Sequence, residues 1–191
     1  LSETTFILPR AAEIERERGV HVRIFTVQEE FRFAGHPTLG TAAWLYENHP
    51  TLKGAEQITL DLPVGPIPVR FTPPQPGEPG VFGTMRQNDP TFGEVLNSRE
   101  DRAALATALG LSIDDLDPDL PAQTVSTGMA FCIVPLRSLE VAARLQIPPS
   151  AARTYLERSD AKFFHCITRA ATGSNADWEA RRQVYSGEDP A

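Results

Sequence analysis

Residues 31–45 read FRFAGHPTLGTAAWL, and this stretch decides the fold. Phe31 and Phe33 alternate with other side chains, which predicts a strand at the start of the stretch. Pro37 suits the first position of a helix, because the N–H group that it lacks would have no intrahelical partner there. One face at helical spacing is formed by Leu39, Ala42, Ala43 and Tyr46. The small residues at 40–43 let other backbone come close, so this helix is expected to be buried within a layer of strands.

The start of this helix would carry free backbone N–H groups and the positive end of the helix dipole. Such a helix start is a suitable site for an anion. In the alternative interpretation the helix has only a structural role in packing, Gly35 forms a turn, and His36 is an ordinary hydrogen-bonded histidine. The residues by themselves leave both interpretations open.

Composition and charge exclude several classes of protein. The chain has 191 residues, 41% hydrophobic and 23% charged, as in ordinary globular proteins with one good core or two small ones. Its net charge of −7 argues against non-specific nucleic-acid binding, which needs a basic face. No apolar run approaches the roughly 18 residues of a membrane span. We therefore expect a cytoplasmic protein without a membrane partner, in which local donors hold any anionic substrate.

The rest of the chain predicts a mixed α+β protein that is rich in strands. Strands are expected at 6–8, 20–25, 31–33, 58–62, 67–71, 81–85, 124–125, 131–136, 162–168 and 182–185, and helices at 99–109, 139–145 and 151–158. Ser98 and Asp101 form a capping-box pattern at the start of the first of these three helices. The proline-rich stretch 72–80 is predicted to be a loop. The acidic stretch 114–121 is interpreted as the bridge between two halves.

The cysteines and histidines predict no metal centre. Cys132 and Cys166 have no ligand or redox spacing, and each lies in an apolar run that indicates a buried structural thiol. Of the four histidines, three are interpreted as surface or core side chains: His21, His49 and His165. The carboxylate pairs at 29–30 and 114–115 lie in polar, turn-like sequence and are interpreted as surface charge.

Three segments resemble the phenazine-biosynthesis isomerase/epimerase-like (PhzF-like) family. Residues 33–41, FAGHPTLGT, look like its most recognisable motif. Residues 1–6, LSETTF, resemble the segment around its catalytic glutamate, and residues 187–191, GEDPA, resemble the start of its second helix motif. The stretch 125–128, VSTG, is a weaker fourth match. All these segments occur in the same order as in the family.

The resemblance implies the fold of diaminopimelate epimerase, in which two similar halves each wrap a curled β-sheet around a central helix. Residues 1–115 would form the first half, incomplete at its N-terminus. Residues 116–191 would form the second half, truncated before its central helix. Residues 33–38 and 185–191 share an aromatic residue, a small residue, Gly and Pro, which agrees with such a duplication. Residues 171–174, ATGS, are interpreted as a loop.

The resemblance also implies a reaction. Family members move a proton on a small carboxylate-bearing substrate, such as a dihydro-hydroxyanthranilate in phenazine biosynthesis, without a metal or organic cofactor. Related epimerases use a cysteine pair, whereas here the matching positions indicate carboxyl groups. Burial raises the pKa of a carboxyl group towards the working pH, which suits proton transfer.

The implied roles fall on a few residues. Glu3 would be the general acid/base, and His36 and Asp189 would orient the substrate or relay protons. The substrate carboxylate would be bound around Gly35, His36, Pro37 and Thr38. A homodimer is expected from the family. The competing hypotheses are a non-catalytic relative that binds a small acid or a protein partner, and a fragment without independent function.

Overall fold

The computed structural model describes residues 3–72, 80–170, 175–184 and 187–190. The chain divides into two compact units, Leu1–Asp89 and Pro90–Ala191. Each unit contains a six-stranded sheet, so the predicted mixed α+β class and the presence of two similar sheets are confirmed. Among the described residues, none of the helices is both long enough and apolar enough to cross a membrane.

The first unit is a sheet with two helices. Its elements are β1 (Thr4–Leu8), α1 (Ala12–Arg18), β2 (Val20–Phe25), β3 (Glu30–Phe31), α2 (Gly35–Asn48), β4 (Gln57–Leu62), β5 (Gly65–Thr72) and β6 (Phe82–Met85). The strand order is β1-β2-β4-β5-β6, and β3 pairs with β2. The pairs are antiparallel except β2 with β4, which is parallel. The predicted alternation in β2 is confirmed, because its side chains are buried at every second position.

The predicted central helix is confirmed as α2, which begins at Gly35. It contacts β1 and β6, which end the strand order, and also β4 in the middle. The sheet therefore curls around the helix. The buried residues of α2 are Thr38, Thr41, Ala42 and Leu45. The predicted face shares only Ala42 with this set and was otherwise wrong, because the strands pack on the side of the helix that carries small and threonine side chains. His36, Gly40 and Trp44, on another side of the helix, stay exposed.

The second unit is a sheet covered by helices. Its elements are β7 (Thr91–Leu96), α3 (Arg99–Leu109), a 3₁₀ turn (Ile113–Asp115), β8 (Ala122–Ser126), β9 (Ala130–Pro135), α4 (Leu139–Arg144), α5 (Pro149–Leu156), β10 (Phe163–Arg169), β11 (Trp178–Val184) and β12 (Gly187–Pro190). The strand order is β12-β11-β10-β9-β8-β7. The core lies between the helices and the sheet and includes Leu105, Leu109, Val134 and Phe164.

Both cysteines lie in this core, which confirms the prediction of buried thiols. Cys132 on β9 and Cys166 on β10 are almost fully buried. Burial raises the pKa of the Cys132 thiol to about 12, because the apolar surroundings disfavour a thiolate. An uncharged, inaccessible thiol is a core side chain and not a nucleophile.

The structure places the boundary between the units at Asp89 and Pro90, whereas the sequence suggested 115 and 116. β7 pairs with β8, and α3 packs against α5, so both belong to the second unit. The acidic stretch 114–121 therefore lies inside this unit and is not a bridge. Asp115 is not simple surface charge either, because it accepts hydrogen bonds from Ser112 and pairs with Arg144.

The segment that resembles the second helix motif has a different backbone in the structure. Gly187–Pro190 forms β12, which pairs antiparallel with β11. The hydrogen bonds of this pairing hold the segment extended, and Pro is tolerated there because β12 is at the edge of the sheet. The predicted loop 171–174 and residues 185, 186 and 191 lie outside the described residues.

Gly19 joins α1 to β2 at a point where a side chain does not fit. Its φ is +92°, and an added Cβ would lie 2.3 Å from the carbonyl oxygen of Thr59. We expect Gly19→Ala to lower the free energy of unfolding by more than about 2 kcal/mol, from backbone strain together with this clash. Gly65→Ala is the matched control, since φ is +108° there and nothing lies within 4 Å of an added Cβ. Equal losses in urea denaturation would contradict the role of the clash.

Asp115 links stability to pH. The backbone N–H and the hydroxyl of Ser112, together with the Arg144 guanidinium, lower the pKa of the Asp115 carboxyl. Its stabilising effect is therefore complete above the ordinary aspartate pKa of about 3.9 and is lost as the pH falls through the lowered value. Urea denaturation of wild type and Asp115→Asn at several pH values measures this. A stability difference that does not shrink in acid would contradict the assignment.

Candidate active site

The start of α2 carries free backbone donors, as predicted. The first intrahelical bond is made by the N–H of Thr38 to the carbonyl oxygen of Ala34, at 3.2 Å. The N–H groups of Gly35 and His36 precede this bond, and the side chain of the N-terminal capping residue Ala34 makes no capping hydrogen bond. Pro37 is the third helical residue, not the first, and still lies in the turn where its missing N–H costs nothing. The helix start can therefore accept a carboxylate.

Glu3 lies beside this helix start, immediately before β1. Its Oε2 atom is 3.0 Å from Nε2 of His36. The carboxyl side chain is 12% exposed, whereas the His36 side chain is 65% exposed. Oε2 is buried and has no hydrogen-bond partner among the described residues, so the approach of His36 is a close contact and not an aligned hydrogen bond. A buried carboxylate oxygen with spare accepting capacity is available to a substrate.

A cavity of about 420 Å³ connects the two residues along the side of α2. It is lined by Glu3, Thr5 and Ile7 from one face of β1 and its N-terminal extension, and by His36, Pro37, Gly40, Thr41 and Trp44 from α2. The side chains of β1 point to this face at every second residue, as strand geometry requires. A larger cavity of about 1120 Å³ beside α1 and β4 contains none of the predicted site residues.

Neither Thr38 nor Asp189 is among the described residues that line the cavity along α2. The Thr38 side chain is fully buried, donates a hydrogen bond to the Ala34 carbonyl at 2.6 Å, and does not line the cavity. Asp189 has its backbone in β12 of the second unit, and its side chain lies outside the described part of the chain. The structure therefore brings Glu3, His36 and Pro37 together, while the role of Asp189 stays a prediction.

Sequence reasoning missed several residues of this site. Thr5, Gly40, Thr41 and Trp44 line the cavity, and none was predicted to be functional. A signal for Thr5 existed, because it stands two residues after Glu3 in a strand and must share its face. The signal for Thr41 and Trp44 was weaker. Thr41 follows Pro37 by four residues and Trp44 follows His36 by eight, so helical spacing places each near the surface of a predicted site residue.

The described residues contain no group of three or more His, Cys, Asp or Glu side chains that could hold a metal ion. The polar side chains that line the cavity, among the described residues, supply one carboxyl, one imidazole, two hydroxyls and the indole N–H of Trp44, and the start of α2 lies beside them. Such a set can accept a proton, return it, and hold a small anion.

Comparison with known proteins identifies the family. The model of the phenazine biosynthesis-like proteins, PhzC-PhzF, matches residues 1–190. The chain belongs to this family. The resemblance seen in the three sequence motifs is therefore confirmed.

Relatives of this PhzC-PhzF family member carry isomerase and epimerase names. An uncharacterized isomerase of Bacillus subtilis is 31% identical over 144 residues, which cover 75% of this chain and 45% of that protein. The crystal structure of a PhzF-family phenazine biosynthesis protein from Bacillus anthracis matches with a TM-score of 0.74 and 28% identity over 100% of this chain and 61% of that one. A predicted epimerase from Pseudomonas aeruginosa matches with a TM-score of 0.70 and 30% identity, over 86% and 54% of the two chains. The chain spans about half the length of the curated relatives it matches.

The solved relatives confirm the predicted fold of this PhzC-PhzF chain. A neighbour named as a probable proline racemase, from Agrobacterium radiobacter, shares the fold with a TM-score of 0.64 at 9% identity, over 98% of this chain and 55% of that one. At 9% sequence identity, this similarity is informative about the fold alone.

The surroundings of two carboxylates in the first unit predict effects of very different size on stability. Asp61 is 10% exposed and pairs at 2.8 Å with Arg10, which is 14% exposed and also donates to the Gly19 carbonyl. Asp61→Asn would leave the Arg10 charge buried without its carboxylate, and we expect a loss of about 3 kcal/mol. Among the described residues, Glu3 pairs with an exposed histidine alone, so Glu3→Gln should change the free energy of unfolding by less than about 1 kcal/mol.

Urea denaturation of the two variants at neutral pH makes the comparison. Both substitutions remove one carboxylate charge from the same unit. A difference between their changes in the free energy of unfolding is therefore caused by the different partners of the two carboxylates and not by net charge. A large loss in Glu3→Gln would show that this carboxyl stabilises the fold, which would weaken its assignment to chemistry.

Proposed function

We propose that the protein containing this chain is a cofactor-independent isomerase that moves a proton on a small, carboxylate-bearing substrate. The observation that carries the proposal is the buried Glu3 Oε2, which lies 3.0 Å from His36 and beside the uncapped start of α2. The isomerase and epimerase names of the relatives support the same class of reaction.

In the proposed reaction the Glu3 carboxylate takes a proton from one carbon of the substrate and becomes a carboxylic acid. The electron pair of the broken C–H bond is delocalised towards the conjugated substrate carboxylate. The same acid then returns the proton to a different carbon, which completes the isomerisation. In an epimerisation, a second acid would instead donate its own proton to the opposite face of the same carbon, and Glu3 would keep the proton that it took. No electrons are gained or lost overall, so the product is an isomer of the substrate.

The other groups would hold the substrate in place. The N–H groups of Gly35 and His36 are suited to the substrate carboxylate, because they combine hydrogen-bond donors with the positive end of the helix dipole. This local attraction matters in a chain of net charge −7. The exposed His36 imidazole can contact both Glu3 and the substrate. Thr38 is not used, since its hydroxyl and N–H are both bound to Ala34.

The finer parts of the proposal come from the sequence and the family. Asp189 is the proposed second acid or orienting group. A dihydro-hydroxyanthranilate, as in phenazine biosynthesis, is the proposed first substrate to test. A cytoplasmic location and a homodimer are proposed on the same basis.

The test is deuterium exchange in the intact protein. We expect the wild type in D₂O to incorporate deuterium from solvent into dihydro-hydroxyanthranilate as it isomerises. Glu3→Gln should slow this exchange by at least about a hundredfold, because an amide cannot accept the proton. Mass spectrometry of the recovered substrate and product measures the incorporation.

Glu13→Gln is the matched control, since Glu13 is an exposed residue on α1 that contacts only Arg16 on its own helix. It should exchange at the wild-type rate. Exchange by Glu3→Gln at full rate would show that Glu3 is not the base. Saturable binding of the acid to the wild type without any exchange would support the non-catalytic alternative instead.

A further inference from the structure

We propose that the hydroxyl groups of Thr5 and Thr41 form a latch that positions Glu3 against His36. Thr5 and Thr41 are then positioning residues, which act through Glu3 and do not themselves exchange protons with the substrate. This inference rests on the proposed function of Glu3 as the base. It assigns a role to a part-buried polar contact that the reaction itself does not use.

The latch joins the two elements that carry the pair. Thr5 lies two residues after Glu3, so both side chains face the same cavity. Thr41 lies on α2, five residues after His36, and is 5% exposed. The two hydroxyl oxygens are 2.9 Å apart. A direct hydrogen bond therefore connects β1 to α2 beside the Glu3–His36 contact.

The directions of the hydrogen bonds follow from the acceptors. The Thr41 hydroxyl also lies 2.7 Å from the carbonyl oxygen of Pro37. A carbonyl can only accept, and each hydroxyl has one proton, so Thr41 donates to Pro37 and Thr5 donates to Thr41. The two hydrogen bonds therefore link β1, the strand that follows Glu3, to Pro37, the residue that follows His36. It fixes the distance between the two elements and the rotation of both threonine side chains.

The Glu3 side chain needs such support because few contacts within the described residues restrain its position. β1 ends the strand order of its sheet and pairs with β2 on one side. Glu3 itself precedes Thr4, the first residue of the strand, where backbone pairing begins. The contact with His36 restrains the Glu3 side chain only weakly, because it is not an aligned hydrogen bond and the imidazole is exposed. The hydrogen bond between the threonines resists separation because the Thr41 hydroxyl, in a residue that is only 5% exposed, would lose this partner without gaining water.

Thr41→Val in the intact protein removes the hydroxyl and keeps the shape of the side chain. Misplacement of a catalytic group by a fraction of an ångström slows its reaction, so we expect kcat for deuterium exchange into dihydro-hydroxyanthranilate to fall about tenfold. KM should stay within about twofold, because the substrate carboxylate is held elsewhere. Thr41→Ser retains the hydroxyl and should restore most of kcat.

Two further comparisons separate positioning from general stabilisation. In a Glu3→Gln background, Thr41→Val should cause no additional loss, because the latch acts through Glu3. Thr107→Val is the matched control: the Thr107 hydroxyl makes the same kind of helical bond, 2.9 Å to the Ala103 carbonyl, on α3 of the second unit. It should leave kcat and KM unchanged. Full kcat in Thr41→Val, or losses that multiply in the double variant, would overturn the latch.

A second measurement is independent of catalysis. Nuclear Overhauser contacts between the Glu3 side chain and the His36 ring should be present in the wild type and Thr41→Ser and lost in Thr41→Val. Their persistence in Thr41→Val would overturn the latch even if kcat fell. If Glu3→Gln proved fully active, the proposed base would be wrong, while the Overhauser contacts would still decide whether the threonines hold Glu3 in place.

Discussion

The packing of α2 inside the curled sheet of the first unit is the constraint on which the rest of the site depends. Thr38, Ala42 and Leu45 are fully buried and Thr41 is nearly so, which fixes both the depth and the rotation of the helix. A helix held in this way cannot turn its N-terminal N–H groups elsewhere. The same packing brings β1 alongside, and with it the carboxyl group that precedes the strand.

Two carboxylates of this unit show how structural and chemical roles differ. Asp61 is buried with Arg10 as a close partner, and Arg18 approaches it at 3.4 Å. Glu3 is nearly as well buried, yet Oε2 has no hydrogen-bond partner within the described residues. Within the described residues, Arg10 Nε of the structural pair also lacks a hydrogen-bond partner. It is therefore the position of the Glu3 carboxyl at a cavity, beside His36, that suits it to chemistry.

Prediction from the sequence succeeded where the signals were local. Helix α3 was predicted with its observed bounds from the capping pattern of Ser98 and Asp101, and the structure shows that Gly110 ends it in a left-handed conformation. Strand β2 followed from its alternation. Helix α1 was missed because it is polar on nearly all sides and buries no residue, so it has no amphipathic pattern. β7 was missed for a similar reason, since five of its six side chains are exposed.

The sequence by itself determined the types of most elements, the family motif at residues 33–41, and the carboxyl and imidazole candidates Glu3 and His36. These depend on residues within a turn or two of each other, where spacing and capping act directly. Tertiary structure alone decided which face of α2 is buried, where the two units divide, and that Thr5 meets Thr41 across 36 residues of chain. Such contacts depend on the order of the strands and on the rotation of the helix. Many local sequences are compatible with several strand orders and helix rotations, and only the packed sheet selects one of them.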